Sequence, residues 1–192
     1  LGTLDECGLA EDTIVVFTSD HGEQMGDHGV LGKTVMYEES VRVPLLLRAP
    51  MLDAAPCTIG GNFSHIDLVP TLLDLLEVPT PDHLQGASRV PVLRGEADLA
   101  DNDVFIEWNG ADGHPPASIG EAEINRSMAQ PLRTVISAER WKLNLYGHGP
   151  GELYDLNADP HERENLFDRP QHRERIDDLV TRLLEWQQET GD

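Results

Sequence analysis

The sequence predicts an α/β fold in two parts: a mostly parallel sheet with flanking helices over residues 1–98, then a small α+β unit over residues 99–192, an antiparallel sheet with a C-terminal helix. Three observations carry this. Thr13-Ile14-Val15-Val16-Phe17-Thr18 is an uncharged, β-branched run, which reads as a strand buried on both faces of a parallel sheet. Beyond Asp103 come four short strand candidates bounded by turn residues. From about Gln171 to Thr190, Ile176, Leu179, Val180, Leu183 and Leu184 mark the apolar stripe of an amphipathic helix.

Taken in order, Leu1 to Leu9 reads as the last turns of a helix stopped at Gly8. The Thr13 strand runs into Ser19-Asp20-His21-Gly22 and a loop punctuated by Gly26, Gly29 and Gly32. Met36 to Ser40 is a helical turn, and Val43 to Arg48 is a second buried strand whose Pro44 suggests an edge or a strand start. Arg42 and Arg48 are expected to pair with acids. Ser64 to Leu76 reads as a helix capped by Asp67, with Pro70 tolerated in its first turn. A short turn follows at Val92-Leu93. The later strand candidates are Val104–Trp108, Leu132–Ile136, Trp141–Tyr146 and Glu152–Leu156, with Glu139-Arg140 making a tight hairpin. Trp186 is expected to pack rather than bind.

Composition narrows the function. The chain has 192 residues, 39% hydrophobic and 26% charged, which fits a soluble globular protein. No apolar run approaches membrane-spanning length, so no membrane partner is expected. The net charge of −21 argues against nucleic acid, because phosphate backbones demand clustered Lys and Arg. Lys33 and Lys142 are the only lysines. Such an acidic, lysine-poor surface is compatible with a high-salt cytoplasm. Cys7 and Cys57 are too few for a disulfide scaffold or a cysteine-rich zinc site, and both are expected to be reduced and structural. The opening residues look like the end of a helix and lack an initiator Met, so the chain is expected to be the C-terminal part of a longer polypeptide.

Asp20 and His21 fall where open α/β sheets place their ligands, at the carboxyl end of a strand, and both suit a divalent metal. Lys33 lies twelve residues past His21, across a loop able to fold back over the strand end. Together they offer a metal and a cation to an anionic substrate. The alternative is a turn aspartate beside a surface histidine. His28 reads either as a substrate contact or as a solvated loop residue. His65 either faces the site or starts a helix. Asn109 to Pro131 is a loop long enough to be functional. With Trp108 and His114 it could form an aromatic wall for a sugar or aryl leaving group; the alternative is a disordered surface loop.

The stretch TSDHGEQMGDHGVLGK, followed by YEESVRVPLLLRAP, resembles the second metal-binding motif of the sulfatases, within the alkaline phosphatase superfamily. SHIDLVPTLLDLL and the later order RTVIS, RWKLNLY, ELYDLNADPHERENL resemble the same family. The resemblance implies the end of an alkaline-phosphatase-like sandwich followed by the C-terminal subdomain. It implies Asp20 and His21 as ligands of one divalent ion, calcium or manganese, and Lys33 as the contact to the transferred sulfuryl or phosphoryl group of an ester substrate. The family also carries an Asp pair and a formylglycine, Ser or Thr nucleophile. Neither Cys7 nor Cys57 is followed by the Pro and Arg of that nucleophile motif. The nucleophile and the formylglycine are therefore expected in the N-terminal half of the same polypeptide, and the 192-residue chain alone is expected to be inactive. Phosphonate monoester hydrolases and phosphodiesterases share the Asp-His form of the motif and stay open as an alternative, as does a non-catalytic domain that kept the fold.

Overall fold

A computed structural model describes residues 1–52, 55–110 and 129–192, which form two compact units. The first comprises Leu1–Thr18 and Pro44–Asn102; the second comprises Ser19–Val43 and Asp103–Asp192. Among the described residues no helix is long and apolar enough to cross a membrane.

In the first unit, helix α1 (Gly2–Glu6) stops before Gly8, whose φ of +69° suits a residue without Cβ. Strand β1 (Val15–Thr18) pairs antiparallel with β2 (Leu45–Arg48), with Phe17 opposite Leu46. The sequence expectation for Thr13–Thr18 is a strand buried on both faces of a parallel sheet; its pairing with β2 is antiparallel. Phe17 is 60% and Leu46 65% exposed, on one shared face. A pair of strands has too little surface of its own to cover both sides, so one face of this pair stands open among the described residues. Arg48 donates to Ala10 O and pairs with Glu11 at 3.1 Å, which ties β2 to the turn before β1.

Helix α3 (Leu68–Leu75) follows a 3₁₀ turn at His65–Asp67 and carries Pro70 in its first turn, where no amide partner is lost. Asp67 occupies the N-cap position without capping. Its buried carboxylate instead receives Arg89 at 2.8 Å and the Ala87 amide at 2.9 Å. A charge-assisted bond to a guanidinium outcompetes a local bond to the helix amides. Helix α4 (Val90–Leu93) starts directly after Arg89. Cys7 and Cys57 are unpaired and exposed, so neither packs in a core.

The second unit is built on a four-stranded antiparallel meander: β3 (Val104–Trp108), β4 (Leu132–Ile136), β5 (Trp141–Tyr146) and β6 (Glu152–Asp155), in that order. Arg140, at φ +70°, turns the β4–β5 hairpin. Helix α5 (Arg173–Thr190) lays Ile176, Leu179 and Leu183 on Val135, Leu143 and Leu153. Trp186 stacks on Phe105, ring centroids 5.2 Å apart. Leu184 falls off the stripe and is half exposed. At 3.6 residues per turn it sits about 80° around the helix from Ile176. The opposite sheet face carries Ile136, Tyr154 and Leu156, against which Tyr37 and Val41 pack.

Candidate metal and anion site

Two residues past β1, the backbone turns sharply at Asp20 and His21. The His21 amide donates to Asp20 Oδ1 at 3.0 Å, and Ser19 Oγ donates to the His21 carbonyl at 2.8 Å. The Asp20 carboxyl is held below its ordinary range, first by that amide bond, with the neighbouring His21 and Lys33 adding to it. It stands open to solvent as an anion.

His21 Nδ1 lies 2.7 Å from the Gly22 carbonyl. A carbonyl only accepts, so Nδ1 carries the hydrogen and Nε2 is the nitrogen left for a ligand. Nε2 is 3.3 Å from Asp20 Oδ2 and is also contacted by the Lys33 ammonium. The loop that returns Lys33 is a small hairpin, closed by Gln24 N–H to Gly32 O at 2.9 Å and Gly26 N–H to Val30 O at 3.0 Å. Val30, fully buried beside Val35 and the half-buried Tyr37, anchors it. Its tip residue His28, at φ +52°, lies half buried with its ring on Tyr37.

The structure thus brings Asp20, His21 and Lys33 together. A carboxylate oxygen beside an imidazole lone pair suits a divalent cation. Among the described residues no third His, Cys, Asp or Glu joins them, so they fit as part of a coordination shell and not as a closed one. Trp108 ends β3 half buried, its carbonyl accepting from Arg133 at 3.1 Å. His114 lies outside the described residues. His65 is exposed on its 3₁₀ turn in the first unit.

Residues 26–189 match the family described as N-sulphoglucosamine sulphohydrolase, C-terminal. The chain belongs to the sulfatase family. Its relatives include a multifunctional alkaline phosphatase superfamily protein of Trinickia caryophylli, 34% identical, with 95% of this chain and 36% of that protein covered. Another is the N-acetylglucosamine-6-O-sulfatase of Bacteroides thetaiotaomicron, 32% identical over all of this chain and 33% of the relative. Human arylsulfatase K is 33% identical over 85% of this chain and 29% of its own length. Among solved structures, one bound to its substrate D-glucosamine-2-N,6-O-disulfate has a TM-score of 0.77 at 30% identity, covering 100% of this chain and 37% of that one. A phosphonate monoester hydrolase from Silicibacter pomeroyi has a TM-score of 0.75 at 26% identity, covering 98% and 37%. The chain spans about a third of the length of these relatives.

Within this sulfatase chain, one set of buried charges escaped the sequence reading. Lys142, Glu38 and Glu162 meet behind the site loop. The signal available was the alternation of Trp141-Lys142-Leu143-Asn144-Leu145, which points Lys142 away from α5 on a strand with both faces covered.

Proposed function

We propose that this chain supplies one metal-binding loop and the C-terminal subdomain of a metal-dependent sulfuric ester hydrolase acting on an aryl or carbohydrate sulfate. The observation that carries the reading is the convergence of the Asp20 carboxylate, His21 Nε2 and the Lys33 ammonium. Asp20 and His21 hold one divalent ion, calcium or manganese, together with ligands from the rest of the polypeptide. That ion, when bound, supplies Lewis-acid stabilisation of developing negative charge. Lys33 neutralises the equatorial oxygens of the transferred group, which matters in a chain of net charge −21. The nucleophile belongs to the N-terminal half of the same polypeptide. Packing of that half on β1 and β2 accounts for the paired exposure of Phe17 and Leu46.

The test assays the full polypeptide on an aryl sulfate and on a phosphodiester, with calcium or manganese added back, in wild-type and Asp20→Ala forms. Hydrolysis of the sulfate ester that Asp20→Ala abolishes supports the reading. Preference for the phosphorus ester favours a second one, a phosphonate monoester hydrolase or phosphodiesterase, which the likeness to two phosphonate monoester hydrolases supports. No turnover of either ester with either metal sinks both and leaves a non-catalytic domain.

A further inference from the structure

The two faces of the four-stranded sheet are covered by different means. α5 covers the Leu143 face with apolar side chains. Strand alternation sends Lys142 and its cross-strand partner Tyr154 to the other face, against residues 36–41. Lys142 is completely buried there. Its ammonium donates to the Met36 carbonyl at 2.7 Å and lies 2.7 Å from Glu162 Oε1 and 3.0 Å from Glu38 Oε1. The second oxygen of Glu162 accepts the Glu38 amide at 2.6 Å. Arg140 stands 3.5 Å from the other Glu38 oxygen. A buried ammonium is tolerated only when its partners are all in place. Two of the three partners of Lys142 lie at the entry to helix α2 (Glu38–Val41).

Helix α2 is in turn hydrogen-bonded to the site loop. The Ser40 carbonyl accepts the Gly22 amide at 2.7 Å and the Glu39 carbonyl accepts the Glu23 amide at 2.9 Å. The buried side chain of Gln24 donates to Ser40 Oγ at 2.8 Å. Gly22 O in turn receives His21 Nδ1–H, the bond that aims Nε2 at Asp20 and Lys33. Glu162 holds φ at +51°, a conformation costly for a residue with a Cβ, and its side chain sits where the network needs it.

We infer that Lys142 and Glu162 are positioning residues for the Asp20–His21–Lys33 cluster, acting through α2 on Gly22–Gln24 without touching the cluster. The catalytic consequence rests on the hydrolase reading above; the structural consequence does not. A purely structural ion pair lowers stability when broken and leaves the site geometry alone. A positioning pair changes the site even when stability is restored.

The test uses the full polypeptide and four variants. Lys142→Met and Glu162→Leu break the network, the double variant removes the Lys142–Glu162 pair and leaves Glu38 to Arg140, and Leu179→Ala weakens the other sheet face as a control. Lys142→Met and Glu162→Leu are expected to speed hydrogen exchange at the Gly22 and Glu23 amides about tenfold or more. They also weaken manganese binding and lower kcat about 100-fold with little change in KM. The double variant regains Tm but neither amide protection nor kcat. Leu179→Ala loses Tm and keeps both. If the two single variants behave like Leu179→Ala, the network is packing only and the inference falls. If the wild type hydrolyses neither ester while exchange at Gly22 and Glu23 still rises in Lys142→Met, the hydrolase reading falls and the positioning role stands.

Discussion

His28 lies flat against Tyr37, their ring centroids 3.7 Å apart and their planes 8° from parallel. The stack joins the tip of the hairpin that delivers Lys33 to a tyrosine fixed from below. Tyr37 donates to Glu152 at 3.2 Å and meets Tyr154 edge-on at 6.2 Å. The tip is therefore tied to the C-terminal sheet by an aromatic contact as well as by backbone bonds. Replacing His28 with Ala is expected to cost about 1 kcal/mol and to lower Tm by about 2–4 °C. His28→Phe keeps the stack and recovers most of that loss. Thermal unfolding of the two variants decides it, and equal Tm values for wild type and His28→Ala would show the stack to be incidental.

Lys33 and the proposed metal compete for one region of space, because the ammonium contacts the same Nε2 that faces Asp20. Removing that positive charge lowers the repulsion felt by a divalent cation at close range. Lys33→Met is therefore expected to bind manganese more tightly, by about three- to tenfold, while losing about 100-fold in kcat through the missing charge on the transferred group. Asp20→Ala loses metal binding and turnover together. Calorimetric titration of the full polypeptide separates the two variants by sign, and weaker binding in Lys33→Met would count against the shared region.

Two glycines of the loop differ in kind. A Cβ on Gly22 would meet the Glu39 carbonyl oxygen at 1.8 Å, so the obstacle is backbone contact. At Gly26 there is open space, but φ is +105°, and the obstacle is conformational. Gly22→Ala is expected to cost about 3 kcal/mol by forcing Gly22 and Ser40 apart, and Gly26→Ala about 1–2 kcal/mol. The first also weakens metal binding, since it moves the carbonyl that orients His21. Denaturant titration beside metal titration checks the pair. If Gly26→Ala were the more damaging to metal affinity, the bond from Gly22 would not be what holds the imidazole.

Local chemistry explains what the sequence revealed and what it hid. The four strands of the meander, the end helix and the turn at Glu38–Val41 were legible because each has a period or a turn residue of its own. The closeness of Asp20, His21 and Lys33 was legible because they stand near one another in sequence across one glycine-punctuated loop. Pairing partners were not. Nothing within Thr13–Thr18 says that β2 runs antiparallel to it, or that Phe17 is left open. The loop at Ser19–Val43 reads as an appendage of the first strands, yet it groups with the C-terminal sheet. Among the contacts that join them is Lys142 to Met36, across 106 positions, and the strand alternation at Lys142 does not say which segment it meets.

The same buried cluster gives a pH dependence whose sign can be worked out. Burial pushes the Glu162 carboxyl up to about 7 from an ordinary value of 4.5, against the pull of Lys142 and the Glu38 amide, with the Glu38 carboxylate adding to the rise. A proton held more tightly in the folded chain than in the unfolded one favours folding at low pH. The contribution of Glu162 is therefore complete below about 4.5 and is lost as pH rises through about 7. Over that window stability falls as pH rises. Other groups titrate in the same range, so the informative quantity is the stability of wild type minus that of Glu162→Gln, followed by denaturant titration at pH 5, 6, 7 and 8. Gln cannot ionise, and the difference is expected to fall with rising pH and then level off. A difference that stays flat, or climbs, would mean that Lys142 holds Glu162 ionised throughout and that burial does not dominate its titration.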